Sequence, residues 1–147
     1  MEKTALAVMR LQPLHEGHTI LIDAMLDACE RVIIGIGSTQ ESGTERNPYS
    51  YEERRVMLLE RYGDRENLTI IPLVDIGAQS KQEWVDYVLG ELDRHALPHP
   101  THYFSGSRSD ADWYTETGWE IVIIDRETVG KGISATKIRE TMRKSRN

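Results

Sequence analysis

Two histidines near the start of the sequence have the types and spacing of a phosphate-binding cluster. His15 and His18 flank Gly17, and Arg10 lies a few residues upstream. A glycine lets the backbone approach a ligand closely, and a helix N-terminus attracts anions through its unpaired N–H groups and its dipole. Imidazole rings donate hydrogen bonds from either nitrogen and can become charged near neutral pH. The pattern therefore predicts anion binding by these residues.

Two other interpretations of the histidine pair stay open from the residues alone. A zinc site would need a third ligand, but the spacing is not that of the His-Glu-x-x-His motif and no further ligand cluster is evident. We therefore predict no metal site built from protein side chains. Alternatively, one histidine caps a helix and the other is incidental.

A second candidate for phosphate binding lies near the end of the chain. Ser134 is a natural helix N-cap, and Thr136 and Arg139 follow it within the next turn and a half. Hydroxyls, backbone N–H groups and a guanidinium at a helix start suit a bound phosphate. Residues 126–147 hold seven basic residues against two acidic ones, although the whole chain carries a net charge of −6. The alternative is an ordinary capped surface helix in a solvated basic tail.

Short apolar runs alternate with amphipathic segments along the chain, which predicts an α/β fold. The predicted strands are Thr4–Met9, Arg31–Ile36, Leu68–Val74, Thr101–Phe104 and Glu120–Ile124. The predicted helices are Gly17–Cys29, Ser50–Tyr62, Lys81–His95, Ser109–Thr117 and Ser134–Arg143. Five strands alternating with helices indicate a Rossmann-like, doubly wound five-stranded parallel sheet with helices on both faces. Such sheets bind ligands at the carboxyl ends of their strands, where both phosphate candidates fall.

Composition narrows the class of protein. With 147 residues we expect one domain, spanning residues 1–147. A single cysteine, Cys29, excludes an intrachain disulfide framework. The acidic net charge argues against general nucleic-acid binding, and no apolar run approaches the length of about 18 residues that a membrane span needs. The N-terminus does not resemble a signal peptide, so a cytoplasmic protein without nucleic-acid or membrane partners is expected.

The two phosphate motifs together resemble the nucleotidylyltransferase superfamily. Further segments, in order and with similar spacing, are similar to archaeal-type nicotinamide-nucleotide adenylyltransferases. They are Ile34–Gln40, Arg46–Tyr49, Glu53-Arg54, Ile71–Ile76, Glu83–Val88 and Phe104–Gly106. The resemblance covers almost the whole chain. It implies transfer of an adenylyl group from ATP to nicotinamide mononucleotide (NMN), with Mg²⁺ bound mainly through the ATP phosphates, and it allows a homo-oligomer.

The resemblance also implies roles for individual residues. The implied catalytic residues are Arg10, His15, His18 and Arg139. The implied ATP-binding residues are Gly17, Gly106, Ser134 and Thr136. The implied acceptor-binding residues are Ser38, Asn47, Arg54 and Trp84, with the indole of Trp84 stacking on the nicotinamide ring.

The sequence also contains departures from the family pattern and leaves alternatives to these implied roles. Trp84 also fits the apolar face of its helix, where it would be a core residue. The family usually has glycine and phenylalanine where this chain has Met9 and Leu11, and Met9 could narrow the site. The chain could also transfer a nucleotidyl group to another acceptor, such as pantetheine phosphate, or serve as an inactive nucleotide sensor.

Overall fold

Helices and strands alternate along the chain in this computed structural model, which describes residues 2–124. The strands are β1 (Thr4–Met9), β2 (Arg31–Ile36), β3 (Leu68–Pro72), β4 (His102–Ser105) and β5 (Glu120–Ile123). The helices are α1 (Glu16–Ala28), α2 (Tyr51–Tyr62), α3 (Lys81–Arg94) and α4 (Arg108–Ala111), which continues into a 3₁₀ turn at Asp112–Tyr114. Among these residues, no helix has the length and apolar composition to cross a membrane.

All five strands are parallel, and their order in the sheet is β3-β2-β1-β4-β5. The strand order therefore reverses direction between β1 and β4, where Ala5 is paired with His102. In open α/β sheets, the crevice outside the carboxyl ends of the strands at such a reversal is the usual ligand site. The predicted fold class is confirmed, and the sheet places the loop after β1 beside the loop after β4.

Alternate residues of each strand face opposite layers, so the sheet separates two apolar cores. Ala5, Ala7 and Met9 of β1 pack with residues of α1 and α2. Leu6 packs on the other face, in the cluster that includes residues of α3. Because both faces are covered, strand positions such as Leu6 are fully buried, as is typical of parallel sheets.

The three main helices begin within one residue of the predicted starts, and their N-caps are made by side chains. The Ser50 hydroxyl accepts from the Glu53 N–H, while the Glu53 carboxylate accepts from the Ser50 N–H, a reciprocal capping box at the start of α2. Ser80 caps α3 by accepting from the Glu83 N–H. Cys29, just after α1, is buried, as expected of a small apolar residue.

The boundaries differ from the predicted ones where side chains replace backbone partners. Beyond β3, the N–H of Val74 donates to the hydroxyl of Tyr87, so the strand ends before the predicted Val74. The predicted helix Ser109–Thr117 is shorter than expected, because the hydroxyls of Thr115 and Thr117 donate to nearby backbone carbonyls and compete with helical bonding. The predicted helix Ser134–Arg143 lies outside the described residues.

One buried arginine of α2 joins the ends of two central strands. The Arg54 side chain is completely buried, and its Nη1 donates to the carbonyls of Arg10 (2.9 Å) and Gly37 (2.7 Å). Its Nη2 donates to the carbonyl of Ser38 at 3.4 Å, and its Nε to that of Ser50 at 3.1 Å. The carbonyls of Arg10, Gly37 and Ser38 follow β1 and β2, so the arginine holds both loops in place.

Replacing Arg54 by methionine should destabilise the protein strongly. The substitution keeps much of the apolar volume but leaves the carbonyls of Arg10 and Gly37 without donors. Hydrogen bonds to a charged group contribute about 1.5–3 kcal/mol each, so we expect the free energy of unfolding to fall by about 3 kcal/mol. Urea denaturation measures this change.

Arg55→Met is the matched control. Arg55 is the next residue of the same helix, and its side chain makes no hydrogen bond or ion pair within residues 2–124. Its replacement should change the free energy of unfolding by less than about 0.5 kcal/mol. Equal effects of the two substitutions would contradict the role assigned to Arg54.

Candidate active site

A cavity of about 800 Å³ opens at the carboxyl ends of the central strands. That volume lies within the range of about 300–1,000 Å³ typical of small-molecule sites. Its polar and glycine lining residues come from the loops after β1, β2 and β3, from the end of β4 and the loop that follows it, and from α1 and α4. They are Arg10, His15, Gly17, His18, Gly37, Ser38, Asp75, Ser105, Gly106, Ser107, Arg108 and Asp110.

His15 and His18 form a stacked pair at the N-terminus of α1. Their ring centroids are 3.8 Å apart, with an angle of 28° between the planes. Nδ1 of His15 accepts from the Gly17 N–H, and Nδ1 of His18 accepts from the His15 N–H. Because each Nδ1 is an acceptor, the proton of each neutral ring is assigned to Nε2. The backbone thus prepares both imidazoles to donate through Nε2, while the helix terminus adds its positive dipole.

Gly17 is required by the position of the His15 ring. A Cβ atom at residue 17 would lie 2.9 Å from Cε1 and 3.1 Å from Nδ1 of His15. Any other residue would therefore push the imidazole away or displace the first turn of α1. The sequence predicts close approach of a ligand at this glycine, and the structure adds an intramolecular reason for it.

Two guanidinium groups give the same region positive charge. Arg10 lines the cavity and is exposed, while Arg54 lies buried beneath the adjacent backbone. Burial, and then the nearby charge of Arg10, lower the pKa of Arg54 below its ordinary value. Within residues 2–124, neither guanidinium pairs with a carboxylate. This end of the cavity is therefore suited to a polyanion.

Two glutamine side chains hold the loops that surround the cavity. The Gln12 amide donates to the carbonyl of Tyr49 and accepts from its N–H, at 3.0 and 2.9 Å. The Gln40 amide makes the same pair of bonds to the backbone of Asp75, at 3.1 and 3.2 Å. Each amide substitutes for a neighbouring strand, so loops beyond the sheet remain ordered without closing the cavity. Ser38, beside the second of these loops, has a φ of 52°, a left-handed conformation that is uncommon for serine.

The opposite wall of the cavity is aromatic. Trp84 of α3 lines it and also packs against the core on that face of the sheet. Its indole Nε1 donates to the hydroxyl of Tyr114 at 2.9 Å, which fixes the plane of the ring. Burial raises the pKa of Tyr114 to about 12, so its hydroxyl stays protonated. Trp84 is therefore both a core residue and a wall of the cavity.

Most of the described residues predicted to form the site do meet at this cavity. Its lining includes seven of them: Arg10, His15, Gly17, His18, Ser38, Trp84 and Gly106. Ser134, Thr136 and Arg139 lie outside the described residues.

Two residues predicted to bind the acceptor are not brought to the cavity. Arg54 points its donors into backbone carbonyls, as described above. Asn47 is 1% exposed, and its amide nitrogen donates to the carboxylate of Glu41 within the loop before α2. Both side chains hold loops beside the cavity and neither lines it, so any contribution of theirs to acceptor binding would be indirect.

The two departures from the family pattern occupy defined positions. Met9 lines the cavity and is mostly buried in the core, so it does reach the site. Leu11 is fully buried with a φ of 55°, at the turn that leads from β1 toward α1.

Sequence reasoning missed two acidic residues of the cavity wall, Asp75 and Asp110. Both follow strands of the sheet, β3 and β4, so their position after a strand was the available signal. Asp75 belongs to a segment that resembles the family, whereas the residues after Gly106 match it only loosely. Burial raises the pKa of the Asp110 carboxyl, although hydrogen bonds from Ser105 and Tyr103 act in the opposite direction.

Comparison with known proteins places this fold and site in a family. The family model described as cytidylyltransferase-like matches residues 9–141. The chain belongs to the cytidylyltransferase-like family. One curated relative is the nicotinamide-nucleotide adenylyltransferase of Thermococcus onnurineus. It is 34% identical to this chain over 147 residues, and the match covers 97% of this chain and 73% of the relative. The resemblance to archaeal nicotinamide-nucleotide adenylyltransferases is thereby confirmed.

Solved structures agree with this assignment. A bifunctional NMN adenylyltransferase/ADP-ribose pyrophosphatase from Francisella tularensis superposes on this cytidylyltransferase-like chain with a TM-score of 0.72 and 26% identity. The match covers 93% of this chain but only 44% of the bifunctional protein, so this chain spans less than half of its length. A structure of that bifunctional enzyme with AMP and a manganese ion has a TM-score of 0.70 and 29% identity, over 95% of this chain and 41% of the other.

Replacing Gly17 by alanine should weaken nucleotide binding in this family member. The added Cβ displaces the His15 imidazole, so its Nε2 no longer donates in the arranged direction. Loss of one charge-assisted hydrogen bond, about 1.5 kcal/mol or more, corresponds to an affinity for MgATP lower by roughly 10-fold. Isothermal titration calorimetry with MgATP measures the dissociation constant.

Gly90→Ala is the matched control, since the same substitution occurs in α3 where a Cβ meets no atom of the described part of the chain within 4 Å. It should leave MgATP affinity unchanged and raise the free energy of unfolding by about 0.5–1 kcal/mol, because alanine favours a helix interior. If the Gly17 variant bound MgATP as tightly as the Gly90 variant, the position of the His15 ring would have no part in binding.

Proposed function

We propose that this chain joins ATP and nicotinamide mononucleotide to form NAD and pyrophosphate. The observation that carries the proposal is one cavity with a histidine and arginine cluster at one end and an indole wall at the other. This arrangement suits a triphosphate and an aromatic mononucleotide bound together. The archaeal relatives named nicotinamide-nucleotide adenylyltransferases support the same activity.

The proposed reaction is a direct displacement at phosphorus. An oxygen of the NMN 5′-phosphate forms a bond to the α-phosphorus of ATP, and the bond from that phosphorus to the oxygen bridging the β-phosphate breaks. Pyrophosphate leaves with that oxygen and its negative charge. Because the attacking phosphate is already anionic near neutral pH, no strong general base is needed. The protein contributes alignment and stabilisation of the growing charge.

We assign this stabilisation to Arg10, His15 and His18. The rings are held so that Nε2 of each donates a hydrogen bond, and donors fixed in advance need little reorganisation during the reaction. Arg10 supplies a guanidinium without a competing carboxylate partner within residues 2–124. The resemblance adds Arg139, which would bind the departing pyrophosphate.

ATP binding is assigned to backbone and hydroxyl groups. Gly17 contributes the helix N-terminus, and Gly106 follows β4 where the cavity opens. Among residues 2–124, a Cβ built on Gly106 has only the Ile124 carbonyl nearby, at 3.9 Å, so these residues leave the backbone there open to a ligand. The resemblance adds Ser134 and Thr136 as partners of the phosphates.

NMN binding is assigned to Trp84 and Ser38, both on the cavity wall. The pyridinium ring of NMN is cationic, so stacking on an indole adds a cation–π attraction. Asn47 and Arg54 would contribute indirectly, by holding the loops beside the cavity.

The divalent cation is proposed to arrive as part of the substrate MgATP. Residues 2–124 contain no group of three or more His, Cys, Asp or Glu side chains that could hold a metal ion. Magnesium prefers phosphate oxygens and water, which ATP and solvent supply. The related structure with AMP and a manganese ion supports the use of a divalent cation.

NAD should form from ATP and NMN only when a divalent cation is present, and Mg²⁺ should suffice. Two phosphorylated substrates repel each other, and the cation offsets this charge. Chromatography of NAD together with a pyrophosphate assay measures turnover, and excess EDTA should abolish it.

Pantetheine phosphate and nicotinamide riboside are the control acceptors. The first tests another phosphorylated acceptor, and the second lacks the attacking phosphate. Pyrophosphate release with pantetheine phosphate but not with NMN would replace the proposed acceptor. No pyrophosphate release with any acceptor would favour a nucleotide sensor.

Trp84→Ala should raise the KM for NMN by roughly 10-fold or more. The substitution removes stacking and a cation–π attraction of about 0.5–2 kcal/mol, and about 1.4 kcal/mol corresponds to a tenfold change in affinity. The KM for ATP should change little. Thermal stability will fall somewhat, because the indole also packs against the core. Steady-state kinetics of the folded variant separates the two effects.

Trp119→Ala is the matched control. Trp119 packs against the same core cluster but does not line the 800 Å³ cavity. It should lower the melting temperature without changing the KM for NMN. If both variants left that KM unchanged, Trp84 would be a core residue only.

A further inference from the structure

A smaller side cavity adjoins the aromatic wall and carries negative charge. Its volume is about 280 Å³, and it shares Val8, Asp75, Trp84 and Asp110 with the main cavity. We call it the acidic lobe. Its remaining lining residues among those described are two glycine or alanine positions and the aromatic residues Trp113 and Tyr114, so no cationic side chain lines it.

Asp110 is the half-buried carboxylate of the acidic lobe. Its Oδ2 accepts hydrogen bonds from the hydroxyls of Tyr103 and Ser105, both at 2.8 Å. The Tyr103 hydroxyl itself accepts from the Val8 N–H at 3.2 Å, so its own proton is directed to Asp110. Burial raises the pKa of Tyr103 far above its ordinary value, which keeps that proton in place. The carboxylate orientation is therefore set by the protein through Oδ2.

The second oxygen of Asp110 is left for a ligand. Among the described residues no group donates to Oδ1, and it is not one of the side-chain atoms sealed from solvent. A carboxylate oxygen held at the wall of a cavity accepts hydrogen bonds and repels other carboxylates. The Ser107 hydroxyl caps α4 by accepting from the Asp110 N–H at 3.3 Å, which also fixes the backbone.

Building on the proposed function, we infer that Asp110 makes the enzyme select the amide form of the acceptor, NMN, over the acid form, nicotinate mononucleotide. The two compounds differ only in the substituent of the pyridinium ring. An amide presents N–H donors to Oδ1, whereas a carboxylate presents a second negative charge. Asp75, in the same lobe, adds to the repulsion. Both carboxylates and the indole of Trp84 attract the cationic pyridinium ring, but the two compounds share this ring, so the discrimination comes from the substituent. Specificity thus comes from repulsion as well as attraction.

Asp110→Asn tests this inference because it removes the charge with little change of shape. The amide oxygen still accepts from Tyr103, and the amide nitrogen can donate to a substrate carboxylate. The ratio of kcat/KM for NMN to that for nicotinate mononucleotide should favour NMN by about 10-fold or more in the unmodified enzyme. In the variant, the ratio should fall by about the same factor, mainly through a gain with nicotinate mononucleotide.

Two comparison variants separate charge from structure. Asp112→Asn makes the same change at an exposed position that lines neither cavity, and should leave the ratio unchanged. Tyr103→Phe removes a hydrogen bond to Oδ2 but keeps the carboxylate, so stability should fall while the selectivity stays in favour of NMN. Equal shifts of the ratio in the Asp110 and Tyr103 variants would show a structural effect and overturn the inference.

The failure of this inference is distinguishable from that of the proposed function. An unmodified enzyme that formed dinucleotide equally well from both acceptors, or an Asp110→Asn variant with an unchanged ratio, would overturn the selectivity while leaving adenylyl transfer intact. Absence of dinucleotide product from either acceptor would overturn the proposed function, and the inference with it.

Discussion

The hydrogen bonds of a single buried guanidinium determine the shape of the substrate edge of this sheet. Backbone pairing between β1 and β2 continues only to the bond from the Gly37 N–H to the Met9 carbonyl, and the carbonyls of Arg10, Gly37 and Ser38 beyond it accept from a side chain instead. Arg54, a residue of α2, donates to carbonyls in both loops. The same charge lies under the part of the site that is lined by Arg10 and the histidines, so a structural contact also makes the cavity attractive to anions.

Other side chains of the site also make hydrogen bonds to backbone groups, and these bonds hold the loops while the cavity stays open. Gln12 and Gln40 each pair with one residue of a neighbouring loop. The histidines use Nδ1 to accept from the turn that begins α1, which leaves Nε2 as the donor of each neutral ring. Because Gly17 has no Cβ atom, the His15 ring can occupy its position beside the backbone. Chemical groups are thus oriented before any substrate is present, which is what electrostatic catalysis requires.

Charge is distributed unevenly over the cavity, and this asymmetry matches the proposed substrates. Arg10, Arg108 and the imidazoles line the main cavity, whereas the acidic lobe has Asp75 and Asp110 beside Trp84 and no cationic lining residue among those described. A molecule with phosphates at one end and a cationic ring at the other satisfies both. The switch point between β1 and β4 brings the two groups of residues together, because α4, which follows β4, contributes Asp110, and the segment from Arg10 to the start of α1 contributes cationic and imidazole groups.

The sequence by itself determined the elements and the location of the histidine cluster. Hydrophobic periodicity predicts the alternating strands and helices, and the capping pattern at Ser50 and Glu53 predicts the start of α2, because both depend on local spacing. The position of the His15 and His18 motif at a helix start is predicted for the same reason. Only the tertiary structure decided that Arg54 and Asn47 support loops, that Gly17 makes room for a ring, and that Asp110 faces the cavity. These outcomes depend on which distant backbone groups each side chain meets, and neither periodicity nor motif spacing carries that information.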